Sequence, residues 1–171
     1  MADRRSKVNY YLDVADAVQE RSTCLRRRFG AIIVREDEIV STGYNGAPRG
    51  RQNCIDLKYC ARQTMNIRPG ERYELCRSVH AEANAIISAA RRETLGATLY
   101  LVGRDALTGE YYPGTTPCAM CRRLIINAGI DRVICRTGPG EDDYTSTLVR
   151  DWVFLDDSLP ETAYDVGGAT E

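Results

Sequence analysis

His80 is the only histidine in the chain, and Glu82 follows it by two positions. Further along, Pro117-Cys118-Ala119-Met120-Cys121 sets two thiols three residues apart behind a proline. One imidazole and two thiolates complete the three protein ligands of a catalytic zinc, which keeps its fourth position for water. A carboxylate beside such a water can take its proton and hand it on without itself binding the ion. His80, Cys118 and Cys121 are therefore candidate metal ligands and Glu82 a candidate proton shuttle. The chemistry they suit is attack of a zinc-activated water on an amine-bearing carbon. Singly, the fragments say little: HxE is a weak signal, a buried histidine is more often a satisfied core residue, and CxxC also serves structural zinc and redox pairs. Joined, they are far more specific.

Two helix starts must present these groups. Thr116 and Pro117 read as a helix cap and first helical residue, placing Cys118 and Cys121 on one face of the first turn, where the positive helix end favours thiolates. This helix runs from Cys118 to Ala128 and stops at Gly129. His80 to Arg92 reads as the other helix, closed by Gly96. Ahead of them, Val8, Tyr11, Leu12, Ala15 and Val18 recur at helical spacing and mark an opening amphipathic helix. Phe29 to Val34 and Ile39 to Tyr44 are apolar, β-branched runs joined by Arg35-Glu-Asp-Glu38 as a hairpin. Asn45-Gly46-Ala47-Pro48 then makes a loop, since Asn-Gly supplies positive φ and proline ends pairing. Ala97 to Val102 and Arg132 to Arg136 read as strands, with a loop or hairpin inserted from Gly103 to Pro113 and a short fifth strand near Val149 to Leu155. The alternation predicts an α/β fold: a three-layer α/β/α sandwich around a mixed sheet of about five strands, whose crossover helices carry the ligands.

At 171 residues the chain fits one domain, expected over 1–155, with a Cys-rich insertion at 51–77 and an acidic tail at 156–171. The insertion has no hydrophobic periodicity and requires another anchor. A hydrophobic content of 43% with 27% charged residues is that of a soluble protein, with no membrane-length apolar run and no apolar leader at the amino terminus, so a cytoplasmic location is expected. The net charge of −1 argues against a polynucleotide track. From Thr137 onward nine acidic residues face Arg150 alone, leaving the earlier part basic enough for a small phosphate. Seven cysteines in a reducing compartment are more plausibly ligands or small core residues than disulfides.

The HxE and PCxxC pair resembles the zinc-dependent cytidine/deoxycytidylate deaminase superfamily, over about residues 24–136. Within it the resemblance is greatest to deoxycytidylate (dCMP) deaminases, through Gly43-Tyr44-Asn45-Gly46-Ala47-Pro48 and His80-Ala-Glu-Ala-Asn-Ala-Ile86. The resemblance implies a cytidine deaminase-like fold and hydrolysis of dCMP to dUMP and ammonia, supplying dUMP for thymidylate synthesis. Zinc hydroxide would attack C4 of the cytosine ring, while Glu82 protonates N3 and then helps ammonia leave. Asn45, in the loop with Gly46 and Ala47, would contact the sugar, and the backbone at Ala81 and Thr116 would read the base edge. Homo-oligomers, hexamers among them, with dCTP and dTTP as effectors are also implied.

For the phosphate, Arg26, Arg27 and Arg28 precede the first strand while Arg49 and Arg51 flank the loop; Arg26 is favoured, against the plain reading of solvated surface charges. Cys24, Cys54, Cys60 and Cys76 would complete a closed structural zinc site that anchors the insertion, in line with a second zinc in some deoxycytidylate deaminases. Buried free thiols are the other reading of these four, and core is the reading for Cys135. Two further functions compete: deamination of another free nucleotide, nucleoside or base, and a non-catalytic zinc-containing nucleotide sensor.

Overall fold

The computed structural model describes residues 4–154. The expected acidic tail lies outside the described residues. The first helix, α1 (Lys7–Gln19), starts at Ser6, whose side chain accepts from the amide of Asn9. It buries Tyr11, Leu12 and Ala15 on one side. The strands β1 (Arg27–Arg35) and β2 (Glu38–Tyr44) pair antiparallel. Glu36 and Asp37 both take positive φ in the turn between them, as a tight hairpin requires.

The Cys-rich stretch folds into two short helices, α2 (Cys54–Leu57) and α3 (Ala61–Thr64), and a 3-10 turn at Tyr73–Leu75. Arg62 secures it by donating from Nη2 to the carbonyls of Arg68 (2.7 Å) and Glu71 (2.6 Å). Then α4 (Ala81–Ser88) and the short α5 (Arg91–Thr94) cross to β3 (Thr98–Asp105), which pairs antiparallel with the other edge of β1. Helix α6 (Ala119–Ala128) crosses to β4 (Arg132–Arg136), parallel to β3, and β5 (Tyr144–Leu148) returns antiparallel before α7 (Val149–Phe154). The mixed sheet has the order β2-β1-β3-β4-β5.

Both faces of this sheet are covered, so its central strands are apolar on both sides. Ile32, Val34, Tyr100, Val102 and Ile134 pack under α1. Ala31, Ile33, Leu99, Leu101, Val133 and Cys135 pack under α4, α6 and the start of α7. The expected three layers and five strands are present. Each fully buried Ile or Leu here contributes about 1.5–3 kcal/mol. Cys135 is a core residue, and burial, with a smaller push from Glu82, raises its thiol to about 12.

Four local expectations need correction. The helix expected over 80–92 breaks: Ala89 and Ala90 are extended and α5 restarts, which lets Thr94 bury its hydroxyl against the carbonyl of Ala128 at 2.7 Å. The fifth strand is Tyr144–Leu148, and Val149 begins a helix instead. A turn from Thr137 to Asp143, closed by the amide of Gly140 donating to the Asp143 carboxylate at 2.7 Å, returns the chain early enough for β4 pairing. The segment from Gly103 begins inside β3, which runs on to Asp105, with an isolated bridge from Arg104 to Tyr111. Finally, α6 begins at Ala119, so Cys118 is its cap, with Thr116 and Pro117 ahead of it.

Candidate active site

His80 caps α4 and Cys118 caps α6, so each crossover helix offers a ligand where its unpaired amides and positive end lie. Cys121 follows in the first turn of α6 and is fully buried. Nδ1 of His80 lies 3.5 Å from Sγ of Cys118 and 3.4 Å from Sγ of Cys121. Zn–N and Zn–S bonds of about 2.0 and 2.3 Å at tetrahedral angles separate N and S by about 3.5 Å, so both nitrogen–sulfur separations match those such an ion imposes. Among the described residues this is the one group of three or more His, Cys, Asp or Glu ligand atoms within mutual reach.

Glu82, 5% exposed in the first turn of α4, adds a carboxylate beside the triad. Burial raises its proton affinity, opposed by His80 and by its own backbone hydrogen bond. Hydrogen bonding with Cys121, then with His80, holds the Cys118 thiol down at about 4, against its burial. Cys121 is pushed up in turn, first by Cys118 and then by burial. In His80 burial disfavours the charge, but the contacts with Cys118 and Glu82 outweigh it and leave the ring more basic than usual. A bound ion would deprotonate both thiols and take the neutral ring.

His80, Cys118 and Glu82 line a pocket of about 490 Å³, with Cys121 buried and outside its wall. Asn45, Ala81, Thr116 and Arg26 of the expected substrate set line it, whereas Gly46 and Ala47 are not in its wall. Gly46 exchanges backbone hydrogen bonds with Val79, at 3.2 and 2.8 Å, and so ties the loop to the residue before His80. The Asn45 amide is largely occupied: Oδ1 accepts from the amide of Phe29 (2.8 Å) and Oγ of Ser22 (2.6 Å), and Nδ2 donates to the carbonyl of Arg27 (2.9 Å). One Nδ2 proton remains.

Tyr73, Arg62, Tyr112 and Arg122 of the wall escape a reading of the sequence, whereas Arg26 and Arg27 were candidates there. Tyr73 of the Cys-rich insertion meets the His80 ring edge-on at 4.8 Å. Arg62 lies over Tyr73 at 4.4 Å, and Arg27 over Tyr112 at 3.8 Å. Arg26, Arg27, Arg62 and Arg122 all reach the wall, and Glu82 is its single carboxylate. The aromatic and arginine content of 51–77 was a signal, but without periodicity nothing in the sequence aimed it at the triad.

Cys24, Cys60 and Cys76 also line this pocket, with Cys54 buried behind them, and all four are free thiols. Burial and then the nearby Cys24, Cys76 and Cys60 raise Cys54. The four converge, yet their sulfurs do not stand at the mutual separations of the His80 triad.

An α/β sandwich with a His/Cys/Cys metal triad and a buried glutamate at two helix starts defines a zinc-binding hydrolase site of the deaminase type. The chain belongs to the cytidine and deoxycytidylate deaminase family, whose zinc-binding region matches residues 5–137. The ion that suits His80, Cys118 and Cys121 is therefore zinc. The chain is 38% identical over 130 residues to the deoxycytidylate deaminase of Mycobacterium phage D29, covering 73% of this chain and 90% of that protein. It is 33% identical over 147 residues to the Schizosaccharomyces pombe deoxycytidylate deaminase, covering 86% of this chain but 42% of that protein. The chain thus spans less than half the length of this relative. The dCMP deaminase of cyanophage S-TIM5 shares the fold, with a TM-score of 0.53 at 23% identity over 82% of this chain and 90% of that one.

Proposed function

We propose that the chain hydrolyses dCMP to dUMP and ammonia. The observation that carries this reading is the buried Glu82 beside the ligand triad, in a pocket walled by arginines. The relatives named deoxycytidylate deaminase support the choice of substrate. Zinc held by His80, Cys118 and Cys121 would supply a water acidic enough to act as nucleophile near neutral pH. Glu82 would accept a proton, deliver it to N3 of the cytosine ring and then assist departure of the amine at C4. Its burial favours this role, because a carboxylate out of water accepts a proton more readily.

The backbone at Ala81 and Thr116 reads the base edge, and the remaining Nδ2 proton of Asn45 meets the sugar. Gly46 and Ala47 act by shaping the Asn45 loop. Arg26, with the other wall arginines, favours an anionic substrate. A zinc bound by Cys24, Cys54, Cys60 and Cys76 would organise the insertion that forms one wall.

The reading extends to a single deaminase domain over 1–155, a cytoplasmic location and assembly into a homo-oligomer such as a hexamer that responds to dCTP or dTTP. Among the described residues no helix is long and apolar enough to cross a membrane. Exposed Met120 and Leu124, four residues apart on α6, are apolar area that assembly would cover. Ammonia release over dCMP, CMP, dCTP and deoxycytidine tests the activity. Turnover of dCMP that disappears in Glu82→Ala is expected; no turnover of dCMP overturns the reading.

A further inference from the structure

Arg62 is a charged residue with 6% exposure in the wall of the substrate pocket. Its guanidinium uses Nη2 for the carbonyls of Arg68 and Glu71, while Nε is buried without any partner. The two acceptors are neutral, and among the described residues no carboxylate stands within ion-pair distance of this side chain. Its position over the Tyr73 ring at 4.4 Å is the remaining contact with the cation. A buried guanidinium with no carboxylate in direct contact, Glu74 acting on it only from farther off, is costly, and a free N–H in such a place adds to the cost. An anion delivered into the pocket would supply a counter-charge to this wall guanidinium, although Nε itself is sealed from the pocket, which makes this wall position an anion subsite.

The other wall arginines are differently placed. Arg27 lies flat on Tyr112 at 3.8 Å, and Arg122 donates to the carbonyl of Pro117 at 3.2 Å and faces Trp152. Arg26 is half-buried at the start of the arginine run, where water already solvates a charge in part. Less is gained when such a group meets an anion.

We propose that Arg62, from the Cys-rich insertion, is the residue that selects a substrate carrying a 5′-phosphate. This rests on the reading of the chain as a deaminase of cytosine nucleotides. The insertion then acts as a specificity wall: its fold adds a buried cation to those that β1 (Arg27) and α6 (Arg122) already bring to the pocket.

The test is the ratio of kcat/KM for dCMP to that for deoxycytidine, two substrates with one base and sugar and differing in the phosphate. In Arg62→Gln this ratio is expected to fall roughly 10- to 100-fold, the loss of a charge-assisted hydrogen bond to a phosphate. In Arg62→Lys, which keeps the charge and drops the planar fork, it should fall by at least about threefold. A ratio within twofold of the unsubstituted protein overturns the proposal, including the case where both substrates lose turnover together through collapse of the wall. Should Arg62→Gln fail to fold by circular dichroism, Arg62→Lys decides by the same criterion. A ratio that falls in Arg26→Gln while Arg62→Gln keeps it also overturns the proposal and assigns the phosphate to Arg26. Unsubstituted protein that leaves dCMP intact refutes the deaminase reading itself, whereas a preference for dCMP that survives in Arg62→Gln refutes Arg62 alone.

Discussion

The Asn45 side-chain amide joins two backbone groups and a hydroxyl, bonding the Phe29 amide, the Arg27 carbonyl and Oγ of Ser22 within 2.6 to 2.9 Å. Asn45→Ala leaves the Phe29 amide and the Arg27 carbonyl unpaired near the pocket. It should cost about 2–3 kcal/mol, read as a lower urea midpoint at unchanged m-value. Glu82 and Cys121 separate two roles that a loss of activity would confuse. Glu82→Gln removes the proton carrier and leaves all three ligands, so zinc per chain should hold while kcat falls about 10²- to 10⁴-fold. Cys121→Ala removes a ligand, and zinc itself should be lost on dialysis. If Glu82→Gln lost zinc equally, the carboxylate would be a ligand and not a shuttle. His80, Glu82, Cys118 and Cys121 were legible in the sequence because their types and spacing are demanded by the chemistry. Arg62 and Tyr73 were not, because an arginine or tyrosine in an aperiodic segment has no direction until the segment folds.

The elements that carry these residues depend on close backbone contact. Gly43 of β2 lies so near α4 that a Cβ there would stand 2.3 Å from the carbonyl oxygen of Ala81 and 2.4 Å from the amide nitrogen of Ala85. Both neighbours are backbone, so neither can swing aside. Gly43→Ala should push out the helix start that holds His80 and Glu82. It should cost at least the upper part of the usual 1–3 kcal/mol for overpacking and weaken zinc retention, as melting temperature and metal content would report. On the opposite face, Asp16 of α1 accepts from Nε of Arg104 at 2.7 Å and from the Tyr111 hydroxyl at 2.9 Å, securing the bridge that follows β3. The central strands β1, β3 and β4 were legible as apolar runs because two covered faces leave no place for polar alternation, whereas the polar edge strand β5 was not. Helix ends were less so: the Ala89–Ala90 break and the Cys118 cap arise from tertiary contacts and ligand placement, against residues with good helix propensity.

At the scale of the molecule, metal content and assembly are the measurable consequences. An ion present at 100 times its Kd adds about 2.7 kcal/mol, or roughly 5–10 °C for a chain of this size. Chelation should therefore lower the melting temperature by that amount, and restored zinc should reverse it. Two zincs per chain would support the second cysteine site, and one would refute it. Light scattering with and without dCTP or dTTP tests the homo-oligomer. The sequence by itself determined the candidate metal ligands, the carboxylate beside them and the α/β alternation, because ligand chemistry and burial periodicity are written in residue types at short spacing. The tertiary structure alone decided that helix caps, and not helix interiors, present His80 and Cys118, and that the insertion closes the pocket with Arg62 and Tyr73. Those facts depend on how segments distant in sequence pack, where loop direction and close approach are fixed by the sheet and its covering layers and by no local pattern.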